Sequence, residues 1–222
     1  PTKSSAASDV YKRQAFIRHA PTDWNEEGRI QGQTDTSLSI AGRSALQDWC
    51  VPAEFSGAEW ISSPLSRCVE TAKHLAGFSV PTDARLAEGA WGEWEGNTLD
   101  EMRSKFGARF KELEDRGWDF CPPGGESPRM VWQRVEPLIQ SFRAKPGPII
   151  MVSHRGVMRA VTAAAMQWNL LGKPPLKMQR SAMQIFWLEA SGRLTLQQAN
   201  VSLVQDPHCL LYTSDAADDL VG

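Results

Sequence analysis

The run PIIMVSH, Pro148 to His154, is dense in β-branched residues, is framed by Pro146 and Gly147, and gives way to a helical pattern at Val157 to Ala165. A short apolar run bounded by turn residues reads as a strand, so this segment is one strand followed by one helix. The same alternation recurs along the chain. Ala15 to Ile17 is the stump of a first strand and Glu59 to Ser63 (EWISS) a second. Pro64 to Ala76 reads as a helix opening with proline, and Pro128 to Ala144 as a helix with Ser127 at its N-cap and Pro128 in the first helical position. MQIFWLE and RLTLQQA, Met183 to Glu189 and Arg193 to Ala199, read as two strands joined by the Ser191-Gly192 turn. There is no internal repeat. This alternation predicts an α/β fold, a three-layer α/β/α sandwich with a largely parallel central sheet. Ligands of such sheets bind outside the carboxyl ends of the strands.

The two ends of the chain do not fit this pattern. Ser4 to Gln14 (SSAASDVYKRQ) and Cys209 to Asp218 (CLLYTSDAAD) can be encoded on opposite strands of one DNA segment, as two unrelated protein termini would not be. The pair resembles the translated ends of a transposase-type sequencing adapter. Residues 1–14 and 209–222 are therefore expected to be adapter-derived and are set aside from the fold. Residues 15–208 remain as one domain, long enough to bury a sizeable core.

With 24 basic and 26 acidic residues the net charge is −2, which gives no electrostatic reason to expect nucleic acid or an anionic membrane surface as partner. No apolar run approaches the ~18 residues of a membrane span. Within residues 15–208 the cysteines are Cys50, Cys68 and Cys121, an odd number without CxxC spacing, which fits free thiols in a reducing compartment and predicts a cytoplasmic protein. A monomer and a homodimer both stay open.

FIRHAPTDWN, Phe16 to Asn25, sets Arg18 beside His19 where the first strand gives way to a polar loop. His154, Arg155 and Gly156 follow the third strand in the same way, so both histidines are candidates for one carboxyl edge. Arg67 lies early in the helix behind the second strand and faces that edge too. Glu88 sits in a loop of tryptophans and glycines (EGAWGEWEG) rather than on a charged helix face. A lone histidine is more often a satisfied surface group, but two histidines converging with arginines form an anion-binding centre. By the same weighing, Trp49, Trp132, Trp168 and Trp187 read as core, His74 as structural, and Arg29 and Arg43 as solvated. Trp24, Trp91 and Trp94 flank the candidate loops, and their place in a pocket stays open. No metal-ligand spacing is present.

In order along the chain, RHAPTDWNEEGRIQGQTDTSLSIAGR, SSPLSRCVETA, LAEGAWGEWEG, PGGES and VSHRGVMRA resemble the histidine phosphatase superfamily, of phosphoglycerate-mutase-like fold, and most of all its short bacterial phosphatase branch. The likeness covers Ala15 to about Ala199. Ala20 departs from it, because the family has glycine after the histidine; alanine serves unless the backbone there needs positive φ. The resemblance implies that His19 is a nucleophile that becomes phosphohistidine, with its other ring nitrogen fixed by a backbone carbonyl. Arg18 and Arg67 then clamp the phosphoryl oxygens with their planar forks, and His154 donates to the same oxygens. Glu88 protonates the leaving oxygen and afterwards activates water. Asn25, Thr22 and Gln31 would add donors to the phosphate, and the amides of Gly156 and Val157 the N-terminus of a helix. Neither a metal nor another cofactor is implied.

Three functions share such a site. They are hydrolysis of small phosphate monoesters, α-ribazole-phosphatase-like or of broad specificity; phosphoglycerate mutase; and an inactive, phosphate-binding regulatory domain. Mutases of the family resemble a longer version of the chain, with an insertion and a tail that shield the phosphoenzyme. The stretch between Glu88 and Ser127 leaves little room for such a lid, so water reaches the intermediate. The expected activity is that of a metal-independent phosphoric monoester hydrolase acting on a small phosphorylated metabolite.

Overall fold

The computed structural model describes residues 11–204. Of the two ends expected to be adapter-derived, residues 1–10 and 209–222 lie outside the described residues, whereas Tyr11 to Gln14 are part of the first strand. The elements in chain order are β1 (Tyr11–Arg18), α1 (Asp23–Glu26), α2 (Ile40–Leu46), β2 (Glu59–Ser62), α3 (Ser66–Ala76), α4 (Leu99–Phe106), α5 (Ala108–Glu114), α6 (Pro128–Ser141), β3 (Ile149–Ser153), α7 (Arg155–Ala165), β4 (Ala182–Glu189) and β5 (Leu194–Ser202).

The strands form one sheet in the order β2-β3-β1-β4-β5. β1 and β2 each pair parallel with β3, while β4 pairs antiparallel with β1 and β5 antiparallel with β4. The sheet is therefore mixed rather than largely parallel. The tight turn at Gly192 forces the β4–β5 pair to be antiparallel. The apolar run that becomes β4 is buried on both faces and would suit either direction, so its antiparallel pairing with β1 carries no signal in the residues themselves.

Side chains alternate across the strands and feed two cores. Phe16, Ile149, Met151, Phe186 and Leu188 pack with Val135 and Ile139 of α6 and Val157 and Val161 of α7. Ala15, Ile17, Ile150, Val152 and Met183 pack with Leu46 of α2 and with Cys68 and Ala72 of α3. Helices thus cover both faces, which gives the three layers. A third cluster, Ile30, Met102 and Phe110 around Trp94, lies under α4 and α5. Trp94 is 2% exposed and stacks on Phe110 with ring centroids 5.2 Å apart, so it is core and not pocket lining.

Ser127 caps α6 by accepting the Met130 amide, with Pro128 in the first turn as expected. α3 begins at Ser66 rather than Pro64, after a turn in which Ser63 Oγ accepts the Leu65 amide. It stops at Gly77, whose φ of 78° suits only a residue without a Cβ penalty. α7 begins at Arg155, two residues before the expected start. Among the described residues no helix is long and apolar enough to cross a membrane.

Candidate active site

The parallel ladder between β1 and β3 sets Arg18 opposite Ser153, and the His19 amide donates to the Ser153 carbonyl at 3.0 Å. Each histidine is the next residue beyond that pair, and their rings meet with centroids 5.2 Å apart at 58°. Ala20, at the position where glycine was the pattern, is not among the positive-φ residues. Its amide donates to Thr71 Oγ1 at 3.0 Å. Glycine is therefore not required there.

His19 is 3% exposed, and its Nδ1 lies 2.7 Å from the Ala20 carbonyl oxygen. A carbonyl only accepts, so Nδ1 carries the hydrogen and Nε2 carries the lone pair. Burial first, then Arg18 and Arg67, hold the His19 pKa well below the ordinary histidine value, although the Ala20 contact works the other way. His154 is fully buried, and burial, His19 and Arg67 lower it in the same sense. Its Nε2 lies 2.8 Å from Ser63 Oγ, and Cys68 Sγ stands 3.4 Å from Nε2 and 3.8 Å from Nδ1. The neutral form of both rings is thereby favoured at pH 7.

Arg67, at 0% exposure, donates Nη1 to the Thr34 carbonyl and Nη2 to the Gly32 carbonyl, at 2.9 and 2.8 Å. Glu95 anchors that loop, its Oε1 accepting the Gln33 and Trp91 amides and its Oε2 the Thr34 amide. The Nε atoms of Arg18 and of Arg67 are buried without a hydrogen-bond partner among the described residues. Burial lowers both pKa values; Arg180 adds to the lowering at Arg18. Two buried guanidinium donors left unpaired beside a neutral imidazole lone pair make a socket for an anion.

Glu88 reaches this edge from its loop and accepts three amides, Gly89 at 2.9 Å, Gly156 at 3.0 Å and Val157 at 3.2 Å. The Gly156 and Val157 amides, expected to face phosphate, thus face the candidate acid in this structure. The geometry follows from α7, whose first amides lack partners within the helix and take the Glu88 oxygens as acceptors. Thr22 and Gln31 are buried and bonded to each other, Gln31 Nε2 donating to Thr22 Oγ1, while Gln31 Oε1 accepts the Thr36 hydroxyl at 3.3 Å. Thr22 Oγ1 also accepts the Asn25 amide, so both residues shape the loop after His19. Asn25 Oδ1 accepts Arg180 Nη1 at 2.8 Å, which leaves Nδ2 as the donor on Asn25. Arg180 lies in a polar loop before β4, where no periodicity or motif marks it.

The family profile described as Histidine phosphatase superfamily (branch 1) matches residues 15–201. The chain belongs to the histidine phosphatase superfamily. This histidine phosphatase is 33% identical over 199 residues to a glucosyl-3-phosphoglycerate phosphatase of Mycobacterium tuberculosis, covering 82% of this chain and 86% of that one. It is 30% identical over 161 residues to phosphoserine phosphatase 1 of Hydrogenobacter thermophilus, covering 70% and 76% of the two chains. The solved structure of a mycobacterial glucosyl-3-phosphoglycerate phosphatase complexed with VO3 matches at a TM-score of 0.69 and 31% identity, over 86% of this chain and 100% of that one. The protein is a phosphomonoester hydrolase of the histidine phosphatase type. These relatives lend the phosphoglycerate mutase alternative less support.

Proposed function

We propose that this histidine phosphatase hydrolyses a small phosphorylated metabolite through a phosphohistidine on His19. The observation that carries this reading is the 2.7 Å contact of His19 Nδ1 with the Ala20 carbonyl, which leaves Nε2 as an aimed lone pair. Nε2 attacks phosphorus while the bond to the leaving oxygen breaks, and Glu88, in its protonated form, gives that oxygen a proton. Arg18 and Arg67 stabilise the charge on the equatorial oxygens, with Asn25 Nδ2 and His154 as further donors. Water then gives a proton to Glu88 as it attacks phosphorus, the N–P bond breaks, and His19 and protonated Glu88 are restored. His154 Nε2 stands 2.8 Å from Ser63 Oγ, and with Nε2 accepting that hydroxyl the donor for phosphate is Nδ1–H.

The substrates to try first are phosphoserine and glucosyl-3-phosphoglycerate, which appear in the relatives' names, beside α-ribazole phosphate. We place the enzyme in the cytoplasm, in keeping with free Cys50, Cys68 and Cys121. The test is rapid quenching with labelled phosphoserine, which should leave an acid-labile, base-stable label on the wild type and none on His19→Ala. Label that persists in the variant overturns the assignment. With 3-phosphoglycerate, release of inorganic phosphate without 2-phosphoglycerate separates hydrolysis from mutase activity.

A further inference from the structure

The loop that carries Glu88 is held from behind by one ion pair. Arg134, on α6, donates Nη2 to the Glu88 carbonyl at 3.1 Å and Nη1 to the Arg85 carbonyl. The same guanidinium forks onto Glu126, Nε to Oε1 at 2.9 Å and Nη2 to Oε2 at 3.0 Å. Glu126 Oε2 accepts the Ala90 amide at 3.0 Å, and the Glu126 amide donates to the Ala90 carbonyl at 2.8 Å. The pair therefore grips the backbone before, at and after Glu88. Its side chains are 20% and 19% exposed, so both charges are largely out of water. Burial opposes the charged form of Glu126, but hydrogen bonds from Arg134 and the Ala90 amide outweigh it and keep the carboxyl below its usual range.

An acid on a glycine-rich loop has no rigid element of its own, and α6 supplies one through Arg134. Proton transfer demands a donor within hydrogen-bond reach of the leaving oxygen, and displacement by an ångström can cost ~10²-fold in rate. A planar guanidinium meets a carboxylate and two carbonyls at fixed angles, which an ammonium cannot do. We propose that Glu126 and Arg134 are positioning residues for the reaction, whose fork fixes the Glu88 backbone so that its carboxyl reaches the leaving oxygen. The proposal rests on Glu88 being the acid.

The experiment compares Arg134→Lys and Glu126→Gln with Glu88→Gln. Single-turnover phosphorylation of His19 is measured with phosphoserine, whose alkoxide needs a proton, and with p-nitrophenyl phosphate, whose phenolate leaves unaided. Thermal melts and active-site titration correct each rate for the folded fraction. Glu126→Gln keeps an acceptor for the Ala90 amide and serves where Arg134→Lys fails to fold. The expected result is a slowing of ~10- to 10²-fold with phosphoserine and far less with p-nitrophenyl phosphate, the same signature as Glu88→Gln at smaller size. Equal slowing on both substrates, or none on either, overturns the positioning role while Glu88→Gln still discriminates between them. If Glu88→Gln itself does not discriminate, the acid reading falls and this inference falls with it.

Discussion

Glu88 Oε2 accepts the Gly156 amide at 3.0 Å, and a Cβ placed on Gly156 would stand 2.4 Å from Glu88 Oε1. Only a residue without a side chain lets the carboxyl group lie across the first turn of α7. Gly156→Ala should therefore push the Glu88 carboxyl aside while leaving the helix at least as favourable as before, since alanine is the better helix former. Turnover of an alkyl phosphate is expected to fall by about 10²-fold, the lower end of what general acid catalysis contributes, with the melting temperature nearly unchanged. Steady-state kinetics on phosphoserine and calorimetry on the same samples check it; unaltered kcat would show that Glu88 has no part in the chemistry.

The neutral histidines make a prediction in pH. His19 and His154 have pKa values depressed by burial and by neighbouring cations, whereas in the unfolded chain both titrate near ~6.5. The unfolded state therefore takes up protons first as the pH drops. Their contribution to stability is present above pH ~6.5 and is lost as the pH falls below that value toward the folded pKa values, at up to about 1.4 kcal/mol per pH unit for each ring. Urea unfolding between pH 7.5 and 5.5 should show this loss, and it should shrink in His19→Gln. Nitrogen-15 spectra at pH 5.5 should still report His19 as the neutral Nδ1–H tautomer.

Arg180 Nη1 donates to Asn25 Oδ1 at 2.8 Å, and Arg180 adds positive charge next to Arg18. Arg180→Ala is expected to raise KM for a phosphate ester by about 10-fold, the size of one lost charge-assisted contact, with a smaller change in kcat. Arg180→Lys should recover part of the charge but not the aim of Asn25. Initial-rate kinetics at two ionic strengths check this, because the charge component must weaken with salt.

Gly42 is buried within α2, where an added Cβ would meet the Pro21 carbonyl oxygen at 2.1 Å. That neighbour is backbone and cannot swing away. Gly42→Ala should cost about 1–3 kcal/mol of stability, the range for overpacking, and should loosen the turn that follows His19. Denaturant midpoints measure the first effect. Lower kcat/KM at temperatures where the variant is fully folded measures the second.

How far the residues foretold these arrangements differs from element to element. β3 and the start of α6 were legible because a dense β-branched run and a Ser-Pro cap are local signals. α4 was not picked out, although Thr98 and Glu101 form a capping box, since its few apolar positions carry little periodicity. The candidate site residues come together at one edge because Arg18 ends β1, His19 and His154 directly follow β1 and β3, Glu88 lies on a loop, and Arg67 sits in the first turn of α3. What could not be read was their pairing across long separations. Nothing near Gly156 in sequence points to Glu88, 68 positions away, and nothing near Arg134 points to it either. Such contacts arise from how helices dock, and their cue is two-body complementarity rather than pattern.

β1 is the middle strand of the sheet, with a parallel partner on one side and an antiparallel partner on the other. His19 directly follows the last residue of that strand, so no fraying of an edge or opening of a surface loop can release it; both ladders must break first. On heating, His19 should therefore keep its place for as long as the sheet persists, even where the loop of Glu88 has already loosened. For a biochemist, the His19 ring resonance becomes the count of intact molecules, whereas phosphatase activity reports on the loop of Glu88 as well.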